Sequence, residues 1–394
     1  MASDIVILAA RRTPVGSFLG ALAPLSATEL GATAIRTVLE DSRMDPARID
    51  EVLMGCVLPA GLGQAPARQA ALKAGIPKSV PCTTVNKMCG SGMKTAMLAC
   101  DAIRARSAQV AIAGGMESMS NAPYLLPGMR AGLRMGEPQM LDHMLYDGLR
   151  DPDDGELMGW YAELCADRYG FTRSQQDEYA TESVKRSLAA MDSGAFRDEI
   201  VSLMISYKGK TTTVSEDEQP RKCELSKIPA MKPAFRPENG TVTAANSSSI
   251  SDGAAAILVA AASEAEHLGL RPLARILGYT THARVPAEFT LAPIGAIKKL
   301  YEQVGWTDAD VDLYEINEAF AVVAMAAIHD LKLDRAKVNV NGGACAVGHP
   351  IGASGARLIV TLTHALKNRG LKRGIASLCI GGGEATAIAI ERID

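Results

Sequence analysis

Apolar and polar positions along this chain alternate in two rhythms. Short apolar runs such as Ile5-Val6-Ile7-Leu8 have the length of buried strands, and longer stretches with apolar residues every three or four positions read as helices. The first part predicts a strand at 5–8, a helix at 27–40, a strand at 52–54 and a helix at 65–74 stopped by Gly75 and Pro77. A strand at 83–85, a helix at 91–104 and a buried strand at 110–113 closed by Gly114-Gly115 follow. The last third repeats the order. It predicts strand 273–277, helix 293–304, strand 313–316, helix 318–329, strand 338–340, helix 354–366, strand 375–380 and, after Gly381-Gly382-Gly383, strand 385–390. Such alternation implies an α/β fold with a mostly parallel sheet and helices on its faces.

If the halves are repeats, the first should have a strand directly after Gly114-Gly115. The next strand pattern is at 254–259, so residues 119–246 read as an insertion where the second half has only a tight turn. The insertion is richer in Pro, Met and charge and predicts helices near 156–168 and 174–191, the second opening on the capping box Thr172-x-x-Gln175. A long excursion between adjacent strands caps an active site or mediates assembly. The expected organisation is an N-terminal domain over 1–270, interrupted by the inserted loop domain 119–246, and a C-terminal domain over 271–394.

Composition narrows the function. The chain of 394 residues suits two domains or one duplicated domain. Aromatics are only 4% while Gly reaches 36 residues, which favours close packing of helices and sheet over an aromatic-lined surface. A formal net charge of −3 offers no global attraction for nucleic acid or an anionic membrane. No apolar run reaches the roughly 18–20 residues of a membrane span. The opening Met1-Ala2-Ser3-Asp4 lacks signal-peptide features. Eight cysteines without C-x-x-C spacing suggest neither a disulfide scaffold nor a zinc ribbon. A cytoplasmic protein without a bound metal is expected, its cysteines serving as core or as chemistry.

Ligands of open α/β sheets gather beyond the carboxyl ends of strands, where helix N-termini also point. Four loops of that kind stand out. In Asn86-Lys87-Met88-Cys89-Gly90-Ser91-Gly92, Cys89 precedes a helix whose dipole favours thiolate. The same position in the second half holds Asn341-Gly342-Gly343-Ala344-Cys345-Ala346-Val347-Gly348-His349-Pro350-Ile351-Gly352-Ala353-Ser354-Gly355, which sets His349 to face Cys89 across the junction of the repeats. A histidine there can take the thiol proton and later donate to a carbonyl oxygen. The third loop, Cys379-Ile380-Gly381-Gly382-Gly383, offers a second thiol for acid/base work and a Gly381 N–H for an oxyanion. In the fourth, Asn317-Glu318-Ala319-Phe320, Asn317 can position a water or carbonyl and Glu318 favours a helix start. A buried small residue or core filler is the ordinary role for each cysteine taken singly. His143, His267, His282 and His364 lack glycine-rich context.

Taken together, in this order and spacing, these loops resemble the thiolase family of acetyl-CoA acetyltransferases and 3-ketoacyl-CoA thiolases. The resemblance extends to Ala113-Gly114-Gly115-Met116-Glu117-Ser118-Met119-Ser120 and Gly240-Thr241-Val242-Thr243-Ala244-Ala245-Asn246-Ser247, and covers nearly the whole chain. It implies the thiolase fold, two repeated βα domains in a layered α-β-α-β-α core with an inserted CoA-binding loop domain. It further implies reversible Claisen condensation of acetyl-CoA with an acyl-CoA, by a ping-pong route. Cys89 would be the nucleophile, His349 its activator and Cys379 the acid/base at carbon. His349 with a water held by Asn317 would form one oxyanion hole, and the N–H groups of Cys89 and Gly381 the other.

The resemblance also places coenzyme A, as substrate and product rather than tightly bound cofactor, on the insertion. Arg221 would approach its adenine and phosphate end, and Phe235, Ala244 and Ser248 would line the pantetheine path. Lys222 and Lys227 could supply further phosphate contacts, though solvated surface is the ordinary role of such residues. Two departures from the family pattern, Leu157-Met158-Gly159 in place of His-Met-Gly and Phe289-Thr290-Leu291-Ala292-Pro293 in place of Met-Gly-x-Gly-Pro, fall where the acyl group would lie. Leu157, Met158 and Phe289 are therefore candidate substrate contacts. The family also implies a homo-oligomer, dimer or tetramer, with 123–143 as a candidate tetramer contact. Medium-chain 3-ketoacyl-CoA thiolysis is the alternative activity, and a non-catalytic acyl-CoA or lipid-binding relative the rival from another class. A β-ketoacyl synthase would pair its cysteine with two histidines or with His and Asn. A dinucleotide-dependent oxidoreductase lacks its G-x-G-x-x-G after the first strand.

Overall fold

The computed structural model describes residues 4–393, so the reading of the first three residues lies outside it. The first half runs β1 (Ile5–Arg12), α1 (Ala27–Ser42), β2 (Glu51–Gly55), α2 (Pro66–Lys73), β3 (Cys82–Val85), α3 (Ser91–Arg104) and β4 (Val110–Ser118). The intervening segment carries α4 (Met158–Tyr169) and α5 (Arg173–Asp192), and the chain rejoins the sheet as β5 (Ser251–Ala261). The second half runs β6 (Ala274–Ala283), α6 (Ala292–Val304), β7 (Leu313–Ile316), α7 (Ala321–Leu331), α8 (Ile351–Arg369), β8 (Arg373–Ile380) and β9 (Glu384–Arg392). Thr172 closes the expected capping box with Gln175 at the start of α5.

The strands form one hydrogen-bonded sheet in the order β7-β8-β9-β6-β1-β5-β4-β2-β3, with the short Gly16–Ser17 strand added to β5. Each half has the same internal order, and the halves join where β1 pairs antiparallel with β6, Ile5 opposite Ile276. The sheet is not mostly parallel. Only β2–β3, β2–β4 and β7–β8 are parallel pairs. The rest are antiparallel, because the turn after β8 reverses the chain and the long excursion after β4 likewise returns it beside its own strand.

Three buried clusters give the layers. One packs α1 and α2 on the outer face of the first half-sheet. A second packs α6, α7 and parts of α4 and α5 on the outer face of the other half-sheet. The third lies between the half-sheets around α3 and α8, with Ile7, Leu53 and Ile257 on one side and Leu313, Ala376 and Ile388 on the other. The result is the α-β-α-β-α layering. Its two central helices cross almost backbone to backbone: a Cβ at Gly92 would sit 2.8 Å from the Ala356 nitrogen, and one at Gly355 2.4 Å from the Met93 nitrogen. That close approach sets the N-terminal ends of α3 and α8 beside each other.

Three local expectations change. Gly114-Gly115 do not end a strand; β4 runs through them, since side chains there would strike the Ala255 and Gly352 carbonyls. The stretch 338–340 makes isolated bridges, from Val338 to Tyr314 and from Val340 to Gly342, and no strand, because Asn339 turns to positive φ and its amide bonds both Ile316 N–H and Ile316 C=O in place of a ladder. Glu318 does not start α7. It is fully buried and accepts from Tyr179, Ser183, Asn339 and the Cys345 N–H, pinning the glycine-rich loop ahead of His349.

Candidate active site

The Cys89 turn is held in a shape that ordinary loops avoid. Met88 sits at φ 46°, a left-handed conformation that costs a bulky residue about 1–3 kcal/mol. The Asn86 carboxamide accepts from the Met88 N–H at 2.9 Å, and the Ser91 hydroxyl accepts from the Lys87 N–H while donating to the Met88 carbonyl at 2.6 Å. Across the cleft, the turn after β8 brings the Gly381 N–H to the Cys89 sulfur, joined there by the N–H of Cys89 itself. Lys87 forms an ion pair with Glu384, which ties the two turns together. Burial pushes the Cys89 thiol up to about 11, against the pull of those two N–H groups. The resting sulfur is therefore a thiol that needs a base, rather than a thiolate made by the helix dipole alone.

His349 is that base candidate. Gly348 at φ 102° lets the chain turn into α8, and the His349 N–H bonds the Ser249 carbonyl at 3.1 Å. Nδ1 lies 2.6 Å from the Ser354 hydroxyl, which itself donates to the Pro350 carbonyl at 2.9 Å. The hydroxyl proton is thus committed, so Nδ1–H donates to Ser354 and Nε2 keeps its lone pair. Burial first, and the Arg357 charge second, lower the imidazole to about 3, so it stays neutral. Asn317 is fully buried at the end of β7, with Nδ2 3.4 Å from His349 Nε2 and Oδ1 3.4 Å from the Arg357 guanidinium.

Cys379, one residue before the end of β8, is buried. Desolvation, and then the nearby Cys89, hold its thiol well above the ordinary range. Two thiols and a neutral imidazole thus meet beneath a pair of convergent N–H donors. That set can take up an acyl group on one sulfur, stabilise a tetrahedral oxyanion and move a proton at the other sulfur.

Cys89, His349 and Gly381 line a cavity of about 410 Å³. So do six of the seven proposed substrate contacts: Leu157, Met158, Phe235, Ala244, Ser248 and Phe289. Arg221 does not. Its guanidinium is half-exposed and held by Asp192 at 2.8 Å and Glu216 at 3.3 Å, whereas Gln219 reaches the lining. Lys222 and Lys227 pair with Glu218 and Glu224 on the surface. Cys379 and Asn317 stand behind the lining, not in it.

Several contributors escaped the reading of motifs. Leu145, Leu149 and Met119 add to the apolar wall from the insertion. Buried Glu117 accepts from the N–H groups of Val57, Leu58 and Gly352, joining the loop after β2 to the start of α8. Burial pushes that carboxyl up to about 7 against those donors. Ser354 and Arg357 orient the imidazole and the Asn317 amide. Their signal was present in the sequence, as the only polar side chains among the small residues of Gly352-Ala353-Ser354-Gly355-Ala356-Arg357.

Family models cover the chain: the thiolase N-terminal domain matches residues 5–263 and the thiolase C-terminal domain residues 270–392. The chain belongs to the thiolase family. This thiolase is 49% identical over 391 residues to an acetyl-CoA acetyltransferase of Pseudomonas aeruginosa, covering 99% of both chains. It is 50% identical over 390 residues to acetyl-CoA acetyltransferase 2 of Arabidopsis thaliana, covering 98% of this chain and 97% of that one. The Acat5 thiolase of Ascaris suum, solved in complex with coenzyme A, superposes with a TM-score of 0.94 at 42% identity, covering 99% of this chain and all of that one. The thiolase fold follows.

Proposed function

We propose that this thiolase condenses acetyl-CoA with an acyl-CoA, and cleaves the 3-ketoacyl-CoA product in reverse, through an acyl group carried on Cys89. As a thiolase it is a CoA-dependent acyltransferase. The observation that carries the assignment is one cavity lined by Cys89, His349 and Gly381, with the neutral imidazole of His349 held by Ser354. Two N–H groups beside a nucleophilic sulfur are the kind of donors that can hold the oxygen of a tetrahedral intermediate.

In acylation the Cys89 proton passes to His349 Nε2 as the sulfur attacks the thioester carbonyl. The coenzyme A sulfur leaves and takes the proton. In condensation the Cys379 proton passes to His349 Nε2, and Cys379, now a thiolate, removes an α-proton from a second acetyl-CoA. The Nε2–H of the now protonated His349 and a water on Asn317 hold the enolate oxygen; the carbanion attacks the acyl carbon and expels the Cys89 sulfur, which takes the proton back from His349. Thiolysis is the same path reversed, with Cys379 returning the proton to carbon. Loss of one oxyanion donor in such a site costs about 10²–10³ in rate.

The cavity lining is mostly apolar where it approaches Cys89, which suits a pantetheine arm and a short acyl chain. A second copy of the chain is the expected partner. Tyr124, Leu126, Met129, Leu133, Met135 and Met140 expose apolar surface along one stretch of the insertion, as a contact between subunits requires. No helix among the described residues is long and apolar enough to cross a membrane.

Steady-state thiolysis of acetoacetyl-CoA and a C6 3-ketoacyl-CoA tests the reading, with Cys89→Ala as control. Turnover that Cys89→Ala abolishes supports it, and the ratio of substrates sets the acyl preference. An unsubstituted protein inert toward both contradicts it.

A further inference from the structure

Behind His349 lies a buried pair of charges that the reaction as described does not use. Arg357, in the second turn of α8, donates to Glu315 of β7 at 3.1 Å and to Oδ1 of Asn317 at 3.4 Å. Both charged side chains are almost wholly buried, and Glu315 Oε1 has no partner among the described residues. A buried ion pair of this kind is weak evidence for stability, because desolvation offsets much of the attraction. Its position suggests another use.

A carboxamide can stand in two orientations that fill the same space. With Oδ1 on Arg357, the Asn317 N–H₂ faces His349 Nε2 and leaves that nitrogen an acceptor. Turned over, Oδ1 would face Nε2 and would favour an imidazole protonated there, with no lone pair for the Cys89 proton. The turned amide would also set its N–H₂ against the guanidinium, a donor against a donor. Arg357 therefore selects the orientation that keeps His349 competent as a base. We propose that Arg357 is a positioning residue of this thiolase, fixing the Asn317 amide and, through it and its own charge, the neutral state of His349.

Other ionisable groups surround the imidazole. Cys89 comes from the turn before α3, Cys379 from β8 and Glu315 from β7. Glu117 of β4 bonds the Gly352 N–H just beyond it. Among these, Arg357 is the charge that depresses the imidazole, second only to burial. Removing it leaves the burial effect and raises the imidazole, so the acid limb of the pH profile moves upward.

The inference rests on the acyl-Cys89 reading, and the test separates the two. Thiolysis of acetoacetyl-CoA by the unsubstituted enzyme, Arg357→Met and Arg357→Lys is followed from pH 2.5 to 9, with folding checked at each pH by circular dichroism. For Arg357→Met the expected results are a kcat reduced about 10²-fold, a KM within about threefold, and an acid limb of kcat/KM raised by about one pH unit. Arg357→Lys keeps the charge but loses the planar fork, so its limb stays in place while kcat falls about tenfold. If Arg357→Met does not fold, Arg357→Lys alone decides, and a kcat within twofold of the unsubstituted enzyme overturns the proposal. A folded Arg357→Met whose limb does not move also overturns it, even with a lower kcat, since that pattern is merely structural. An unsubstituted protein without thiolysis contradicts the acyl-Cys89 reading instead.

Discussion

The reacting end of the cavity and its outer wall are held by different means. At Cys89, His349 and Gly381 the working groups are backbone N–H donors and side chains locked by buried hydrogen bonds, on turns at the ends of sheet strands and central helices. The wall is made of apolar side chains, with Leu145, Leu149, Leu157, Met158 and Phe235 coming from the segment between β4 and β5. Its contacts are dispersion and burial, which tolerate a change of shape better than a hydrogen-bonded turn does. Under the proposed function, substitutions on the two sides should therefore fail differently, one in chemistry and the other in substrate choice.

The largest effect is expected at the nucleophile. Cys89→Ala should lose at least about 10⁴-fold in thiolysis and in condensation, read by the acetoacetyl-CoA absorbance, with the fold intact. Cys379→Ala should lose about 10³-fold in both directions yet still accept an acetyl group from acetyl-CoA on Cys89, seen as exchange of labelled coenzyme A into acetyl-CoA. Equal loss of exchange and condensation would erase the division of labour between the two thiols. At the wall, Leu157→Ala and Phe289→Ala should change kcat for acetoacetyl-CoA little while shifting the C6-to-C4 ratio of kcat/KM by about tenfold. A collapse of kcat there would show that the wall also sets the geometry of the reaction. The smallest effect is expected at Arg221, already satisfied by Asp192 and Glu216. Arg221→Ala should leave the KM for coenzyme A within about twofold, because an exposed ion pair contributes little.

The same contrast decides what was legible in the sequence. The grouping of Cys89, His349 and Cys379 was legible because each lies in or beside a glycine-rich turn, where the chain itself announces close backbone approach. The duplicated strand order was legible from hydrophobic rhythm, since each half repeats it. Strand direction was not: rhythm does not distinguish a crossover from a return beside the same strand, so an antiparallel majority read as parallel. Asn339 defeated a strand assignment because its amide replaces the ladder bonds, which depends on Ile316 lying beside it. Glu117, Ser354 and Arg357 act through partners distant in sequence or on the facing turn. Arg221 shows the converse, a matching motif position whose charge is taken up by Asp192 at the end of α5.

The proposed chemistry turns on an acyl group carried by one named sulfur. Incubation with acetyl-CoA, rapid acid quenching and peptide mass spectrometry test it directly. One acetyl group per chain is expected on the peptide containing Cys89, discharged by free coenzyme A and absent in Cys89→Ala. Acetyl found on Cys379 instead, or an unlabelled Cys89 in an enzyme that turns over, would contradict it.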